Sequence, residues 1–263
     1  MRPYLAIIKV YFLEALVYRF SAIFTLVGNL FYVVMVYFLW KSVYGSSETI
    51  HGMTFNEVFV YLTLAGSILI LFHNNVGWGV SSLIRTGGII IYMLRPISFR
   101  VQVLCFNTSY TLISFLLITI PSLAVILIAF HGSIPIGLNL IAFPISVVCA
   151  YLLSFILDYM VGLTGFYTQS IWGINTAKDV IVSLLSGALI PLPFFPETIQ
   201  HVLQFLPFQA IYHIPLRILT GAGLQWLDYV QFIGIQVFWL VDLIIVSGLI
   251  EKKAMRVLTV NGG

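Results

Sequence analysis

Residues 101–130 read VQVLCFNTSYTLISFLLITIPSLAVILIAF and contain no charged side chain. A bilayer core about 30 Å thick is crossed by roughly 20 helical residues, so this stretch exceeds one crossing, and Pro121 is placed to kink it or end a turn. Similar runs lie on either side. Residues 20–40 make a first charge-free span, and residues 58–76 a second, bounded by Glu57 and the cluster His73-Asn74-Asn75. Residues 138–157 make a fourth, stopped on the aqueous side near Asp158. The run 180–190 is too short alone, so the fifth span is expected over 174–190; residues 229–250 form the sixth and carry Asp242.

Composition agrees with this reading. Of the 263 residues 60% are hydrophobic and 8% charged, and the mean hydropathy is +1.06. A soluble domain carries about 25% charged residues, and this chain has too few to coat a surface facing water. Disordered chains, disulfide scaffolds and soluble nucleic-acid binders are thereby excluded. The expectation is an all-α polytopic membrane protein, one transmembrane domain over 1–263, without repeat or linker. Cys105 and Cys149 sit in apolar runs and read as small buried side chains. The first apolar stretch is too long for the core of a signal peptide and no small-x-small pattern follows it, so none is expected.

Orientation follows from the cations. Ten of the twelve Lys and Arg (Arg2, Lys9, Arg19, Arg85, Arg95, Arg100, Lys178, Lys252, Lys253 and Arg256) fall in segments on one side, and only Lys41 and Arg217 on the other. The positive-inside rule places both termini in the cytoplasm, with 45–54 and 194–204 outside.

Three segments between or before the spans stand out. Residues 1–19 hold Tyr4, Tyr11 and Tyr18 at seven-residue spacing among cations, which suits an interfacial helix or an extension of the first span. In residues 80–95, Ser81, Arg85, Gly88, Tyr92 and Arg95 share one stripe at helical spacing. Val80, Leu83, Ile84, Ile90, Ile91 and Leu94 cover the other side, and Pro96 ends the helix. Such a helix either lies passively on the membrane or docks a cytoplasmic partner through its stripe. Residues 191–221 carry Pro191, Pro193, Pro196, Pro207 and Pro215 in an otherwise apolar stretch. Backbone groups freed by proline cannot face lipid, so a re-entrant helical hairpin between spans five and six is expected rather than a plain loop.

Catalytic signatures are missing. No glycine precedes a lysine, which rules out a phosphate-cradling Gly-Lys step. His51, His73, His131, His201 and His213 form no i, i+4 pair around a glutamate, and Cys-x-x-Cys does not occur. His201 and His213 read as interfacial hydrogen-bonding groups, and the sequon Asn107-Thr108-Ser109, at a span entrance, reads as part of a helix. A carboxylate within a span costs roughly 2.5–3.5 kcal/mol on insertion scales; Asp242 is expected to have a structural partner in the bundle, with proton coupling as the alternative.

Four stretches, in order, resemble the permease subunits of type-2 ATP-binding cassette (ABC) exporters: residues 3–19, Gly88-Ile-Ile-Ile-Tyr-Met-Leu-Arg-Pro-Ile-Ser98, the run 186–196 with its later Leu-Pro-Phe and Thr220-Gly221, and Met255-Arg-Val-Leu-Thr-Val-Asn-Gly-Gly263. The resemblance is to a bacterial branch whose permeases are often encoded in pairs beside one ATPase. It implies six spans, with 80–95 as the cytoplasmic coupling helix and Ser81, Arg85, Gly88, Tyr92 and Arg95 as its ATPase-coupling residues. It implies a path lined by spans one, two and five, and a membrane-embedded dimer on two ATPase copies. The dimer would be a homodimer or, as the paired genes suggest, a heterodimer. ATP and Mg would be bound by the partner ATPase, with no cofactor in this chain and no nucleic acid. The apolar, aromatic path suggests export of a lipid-like or amphipathic cargo across the bacterial inner membrane; a secondary transporter or channel coupled through Asp242 is the alternative.

Overall fold

The computed structural model describes residues 2–17, 19–72, 75–129, 137–221 and 223–257. Tyr18, His73, Asn74, His131 and the tail 258–263 lie outside them. The described residues are almost wholly helical. Helix α1 (Arg2–Val17) precedes α2 (Arg19–Tyr44). A two-residue hairpin follows, β1 (Thr49–Ile50) pairing antiparallel with β2 (Met53–Thr54). His51 and Gly52 between them both adopt positive φ, as a tight hairpin turn requires. Thr54 then opens α3 (Phe55–Phe72) by exchanging hydrogen bonds with Glu57: the Thr54 N–H donates to Glu57 Oε2 at 2.8 Å and the Glu57 N–H to Thr54 Oγ1 at 3.3 Å.

Helix α3 is the axis of the molecule, buried from Val58 to Ile68. Its polar side chains are matched across helices. Asn29 Nδ2 on α2 donates to Ser67 Oγ at 3.2 Å and to Ser122 Oγ at 2.7 Å, tying three helices at one point. Among the described residues five stretches are long and apolar enough to cross a membrane: Phe20–Tyr44, Phe55–Arg85 (α3 and the helix from Val76, with 73 and 74 between them outside the described residues), Phe99–Ile128, Asn139–Phe166 and Trp226–Val257. The third is α6 (Phe99–Ser114), a π turn (Phe115–Thr119) and α7 (Ile120–Ala129). The π turn lies just before Pro121, whose missing N–H and bulky ring break regular α bonding there.

Three expectations change, and a fourth, the helix over 1–19, gains a partner. The run 138–157 does not stop at Asp158, because α8 (Asn139–Leu163) continues into a 3-10 turn (Thr164–Phe166) with Asp158 buried inside the bundle. The fifth span expected over 174–190 is α9 (Trp172–Leu185), 14 residues and so about 21 Å long at 1.5 Å per residue. It ends at Ser186 and the left-handed Gly187, short of a full crossing. The helix expected over 80–95 is two helices, α4 (Val76–Arg85) and α5 (Ile89–Met93). Gly87 at φ 72° donates its N–H to Ile84 O and terminates the first. Finally, α1 is a helix packed on α6: Ser109 Oγ donates to Ile8 O at 3.1 Å, and the Tyr11 ring meets Phe106 edge-on at 4.7 Å.

The proline-rich region is ordered. It contains 3-10 turns at Leu192–Phe194 and Pro207–Ala210 and two short helices, α10 (Glu197–Gln204) and α11 (His213–Thr220). Pro191 and Pro196 cap the turn and helix that follow them; Pro193, Pro207 and Pro215 occupy first-turn positions, where an intrahelical N–H bond is not needed. Helix α11 is buried against α8 and α3, and Asn139 Nδ2 caps its end by donating to Leu219 O at 3.2 Å. The chain closes with α12 (Trp226–Ala254), packed along α8.

Candidate functional site

Where α3, α8 and α9 meet, a crevice of about 230 Å³ is lined by Leu69 and Phe72 of α3, Ser154, Leu157 and Asp158 of α8, Lys178, Asp179, Val182 and Ser183 of α9, and Ile211 and Tyr212 ahead of α11. Its walls are mostly apolar and its polar groups converge. Lys178 Nζ pairs with Asp158 Oδ1 and, at 2.5 Å, with Asp179 Oδ1. Asn175 Nδ2 donates to Asp179 Oδ2 at 3.0 Å. Two carboxylates against one ammonium leave the cluster a formal charge of −1. Counted from Phe166, Asp158 lies about 12 Å into the bundle, a depth at which a lone charge is strongly disfavoured and pairing is the rule.

Sequence reasoning missed this cluster. Asp158 read as the end of a span and Lys178 as one of the cytoplasmic-side cations at the start of the fifth. The available signal was the apolar run that continues past Asp158 to Leu163, together with a Lys-Asp step twenty residues on. Helix packing completes the site. Helix α4 lies on α8 through glycines, and a Cβ on Gly162 would come within 2.7 Å of Val80 Cβ. Gly77 faces both Asn175 Oδ1 and the Asp158 carbonyl, so α4 forms the wall behind the charged cluster.

The residues of the expected stripe separate. Ser81 is buried against Gly165. Arg85 is at the surface, where its Nη1 donates to Gln169 O at 3.0 Å, and it borders an open polar notch of about 570 Å³ shared with residues 165–169 and Val257. Gly88 caps α5 beneath Leu83. Tyr92, on α5, and Arg95, just beyond it, stay together against the start of α6: the Tyr92 ring meets Phe99 edge-on at 5.7 Å, the Arg95 guanidinium lies 5.5 Å from the Tyr92 centroid, and Gln102 Nε2 donates to Tyr92 O at 2.8 Å. Burial, reinforced by the Tyr11 hydroxyl beside it, pushes the Tyr92 phenol above its ordinary range. The five prolines lie together at the end of the bundle away from Arg85, around α10 and α11.

Asp242 is half-buried in the middle of α12, beside the exposed Phe238, Val241 and Ile245. No ion-pair partner for it occurs among the described residues, so the expected partner in the bundle is not found there. The paired acid of α12 is Glu251, held by Arg100 Nη2 at 2.5 Å and Nε at 3.0 Å.

Such a bundle of long apolar helices, with matched charge held inside it, defines a polytopic helical membrane protein. The chain matches the ABC-2 family transporter proteins over residues 30–262, and it belongs to that family. It is therefore an ABC transporter permease, and membership implies association with ABC ATPase subunits. No curated protein matches the chain.

Proposed function

We propose that the chain is the permease of an ATP-driven exporter that moves a lipid-like or amphipathic cargo across the bacterial inner membrane. Both termini are cytoplasmic in this reading, and α10 and α11 form a re-entrant pair opening outward. ATP and Mg are bound by a separate ATPase present in two copies, beneath a pair of permeases. The observation that carries the reading is the family match over residues 30–262, and residues 1–263 hold no Gly-Lys phosphate loop, which supports an energy source on a partner. A second observation supports the cargo class. Between α3, α6 and α8 an apolar crevice of about 400 Å³ is walled by Leu104, Leu112, Phe115, Phe143 and Val147, with Thr108, Thr111 and Tyr151 as its hydroxyls.

Coexpression with a neighbouring ATPase, copurification and reconstitution test this. ATP-dependent movement of a fluorescent phospholipid, lost when the ATPase is inactivated, is the expected result. Transport driven by an ion gradient without the ATPase, and abolished by Asp242→Asn, would instead establish the carrier reading, which rests on Asp242 having no ion-pair partner among the described residues.

A further inference from the structure

Beneath α10, at the end of α12 opposite Glu251, a second cavity of about 380 Å³ is lined by Gln200, Gln204, Gln209, Gln231 and His213, with apolar groups including Phe232 and Ile235. Among the described residues no charged side chain borders it. Its hydrogen-bonding sense follows from partners that can only accept. Tyr61 OH lies 3.0 Å from Gly187 O and 3.2 Å from His213 Nδ1. The carbonyl has no proton, so the single phenolic proton goes to Gly187 O and the Nδ1–H donates to the Tyr61 oxygen. His213 is then the neutral Nδ1–H tautomer, and Nε2 is a lone-pair acceptor on a ring that borders the cavity.

The glutamines follow the same logic. Gln200 Nε2 donates to Phe195 O at 2.7 Å and to Pro193 O at 3.4 Å. Gln209 Nε2 donates to Gln204 O at 2.6 Å. Both N–H groups of Gln200 and one of Gln209 go to backbone carbonyls, which fixes the amides and leaves each Oε1 as an acceptor. The cavity thus offers three oriented acceptors, plus the amides of Gln204 and Gln231, which make no hydrogen bond among the described residues.

We propose that this cavity binds an uncharged, hydroxyl-bearing group of about one sugar ring, presented by a lipid headgroup or a free polyol. A hydroxyl supplies the donors that the three acceptors require. An anion would find no cation in the lining, and a cation no carboxylate. A lining that combines polar amides with apolar groups such as Phe232 suits the two kinds of surface of a sugar ring. The inference is independent of the exporter reading, since binding needs neither ATPase nor transport.

Photolabelling of the purified full chain in nanodiscs tests it, with a photoreactive octyl glucoside as probe and its tetra-O-methyl ether as a same-shape control that cannot donate. The glucoside should label peptides around residues 200–213 and 231–235 at least tenfold more than the ether. The double variant Gln204→Leu, Gln231→Leu, at two exposed positions, should lower that labelling at least tenfold while melting as wild type. Displacement by methyl glucoside would point to a free polyol as the source, and resistance to it to a lipid-borne headgroup; both support the site. Equal labelling by the two probes, labelling unchanged in the double variant, stronger competition by octyl phosphate, or no labelling in this region would each overturn it.

Discussion

At the level of Asp158 the bundle holds three formal charges in contact; beneath α10 it holds a cavity of comparable size with none. The difference lies in what orients the polar groups. In the inner crevice Asp158, Lys178 and Asp179 orient one another, so removing one member leaves the others without compensation. In the outer cavity the backbone does the orienting: Gly187, Pro193, Phe195 and Gln204 supply carbonyls that fix side chains still able to accept a ligand. The first site is closed on itself, and the second is left with unused hydrogen-bonding capacity.

The sharpest way to break this contrast is to delete its central charge. Lys178→Met would leave two carboxylates facing each other and should cost about 3–5 kcal/mol, as loss of one partner from a buried pair does. Thermal melting followed by fluorescence-detected size exclusion should show a large drop, and the double variant Asp158→Asn, Lys178→Met should recover part of it. Gln204→Leu, at the exposed rim of the outer cavity, should change stability by less than about 0.5 kcal/mol. Equal losses at the two sites would mean that the inner charges are solvated rather than mutually held.

The wall behind the inner cluster offers a smaller perturbation. Gly162→Ala places a methyl group 2.7 Å from Val80 Cβ and 3.1 Å from Gly77 O, both on α4. Overpacking of this kind costs about 1–3 kcal/mol. Because α4 can yield only by pulling away from α8, accessibility of a cysteine placed at Ser183, in the crevice lining, should rise in the same variant. Wild-type melting would show that α4 is not tightly seated.

In the outer region, Tyr61→Phe removes the hydroxyl that fixes the His213 tautomer and leaves Gly187 O and Nδ1 without their partner. An unsatisfied buried group costs about 1–3 kcal/mol, with the lower end expected because the cavity can admit water. A shift in the His213 imidazole resonances towards the other tautomer, seen by nitrogen NMR, would confirm the assignment. Unchanged resonances would refute it.

Those long runs were legible because a charge-free length of helix has few fates other than a bilayer, and Pro121 announced the break beside which the π turn lies. What was illegible depended on partners distant in sequence or on a single dihedral angle. Asp158 after an apolar run looks like the end of a span; only Lys178, on another helix, makes it an interior residue. The apolar periodicity of 80–95 passes through Gly87 unbroken, because periodicity records side-chain type and not φ; the adjacent pair Gly87-Gly88 was the hint that it left. The shortness of 180–190 reads as a reason to extend the span back to 174, whereas the helix there is Trp172–Leu185 and ends before Gly187. The fixed acceptors of the outer cavity could not be read at all, since they depend on carbonyls of residues with unremarkable side chains.

The smallest effect on stability, and the largest expected on function, belongs to Arg85. Its guanidinium is exposed and makes one hydrogen bond, to Gln169 O, so Arg85→Glu should cost less than about 0.5 kcal/mol. Tyr92, by contrast, is wedged between Phe99, Arg95 and the Tyr11 hydroxyl, and truncating it would confuse folding with coupling. Arg85 alone therefore separates the two roles its position allows. A cation gripping anionic headgroups adds about 1 kcal/mol of membrane attraction, and its reversal would lower membrane levels while leaving the ATPase bound to whatever assembles. A guanidinium at the edge of an open polar notch can instead pair in fixed geometry with a partner's carboxylates. In that case Arg85→Glu should reach the membrane at wild-type levels and melt as wild type, yet lose ATPase copurification at least tenfold. Restoration by Arg85→Lys to an intermediate level would show that charge is needed and that the guanidinium fork adds to it. Full ATPase association with Arg85→Glu would remove this notch from the coupling surface and leave the Tyr92–Arg95 side of α5 as the place to look.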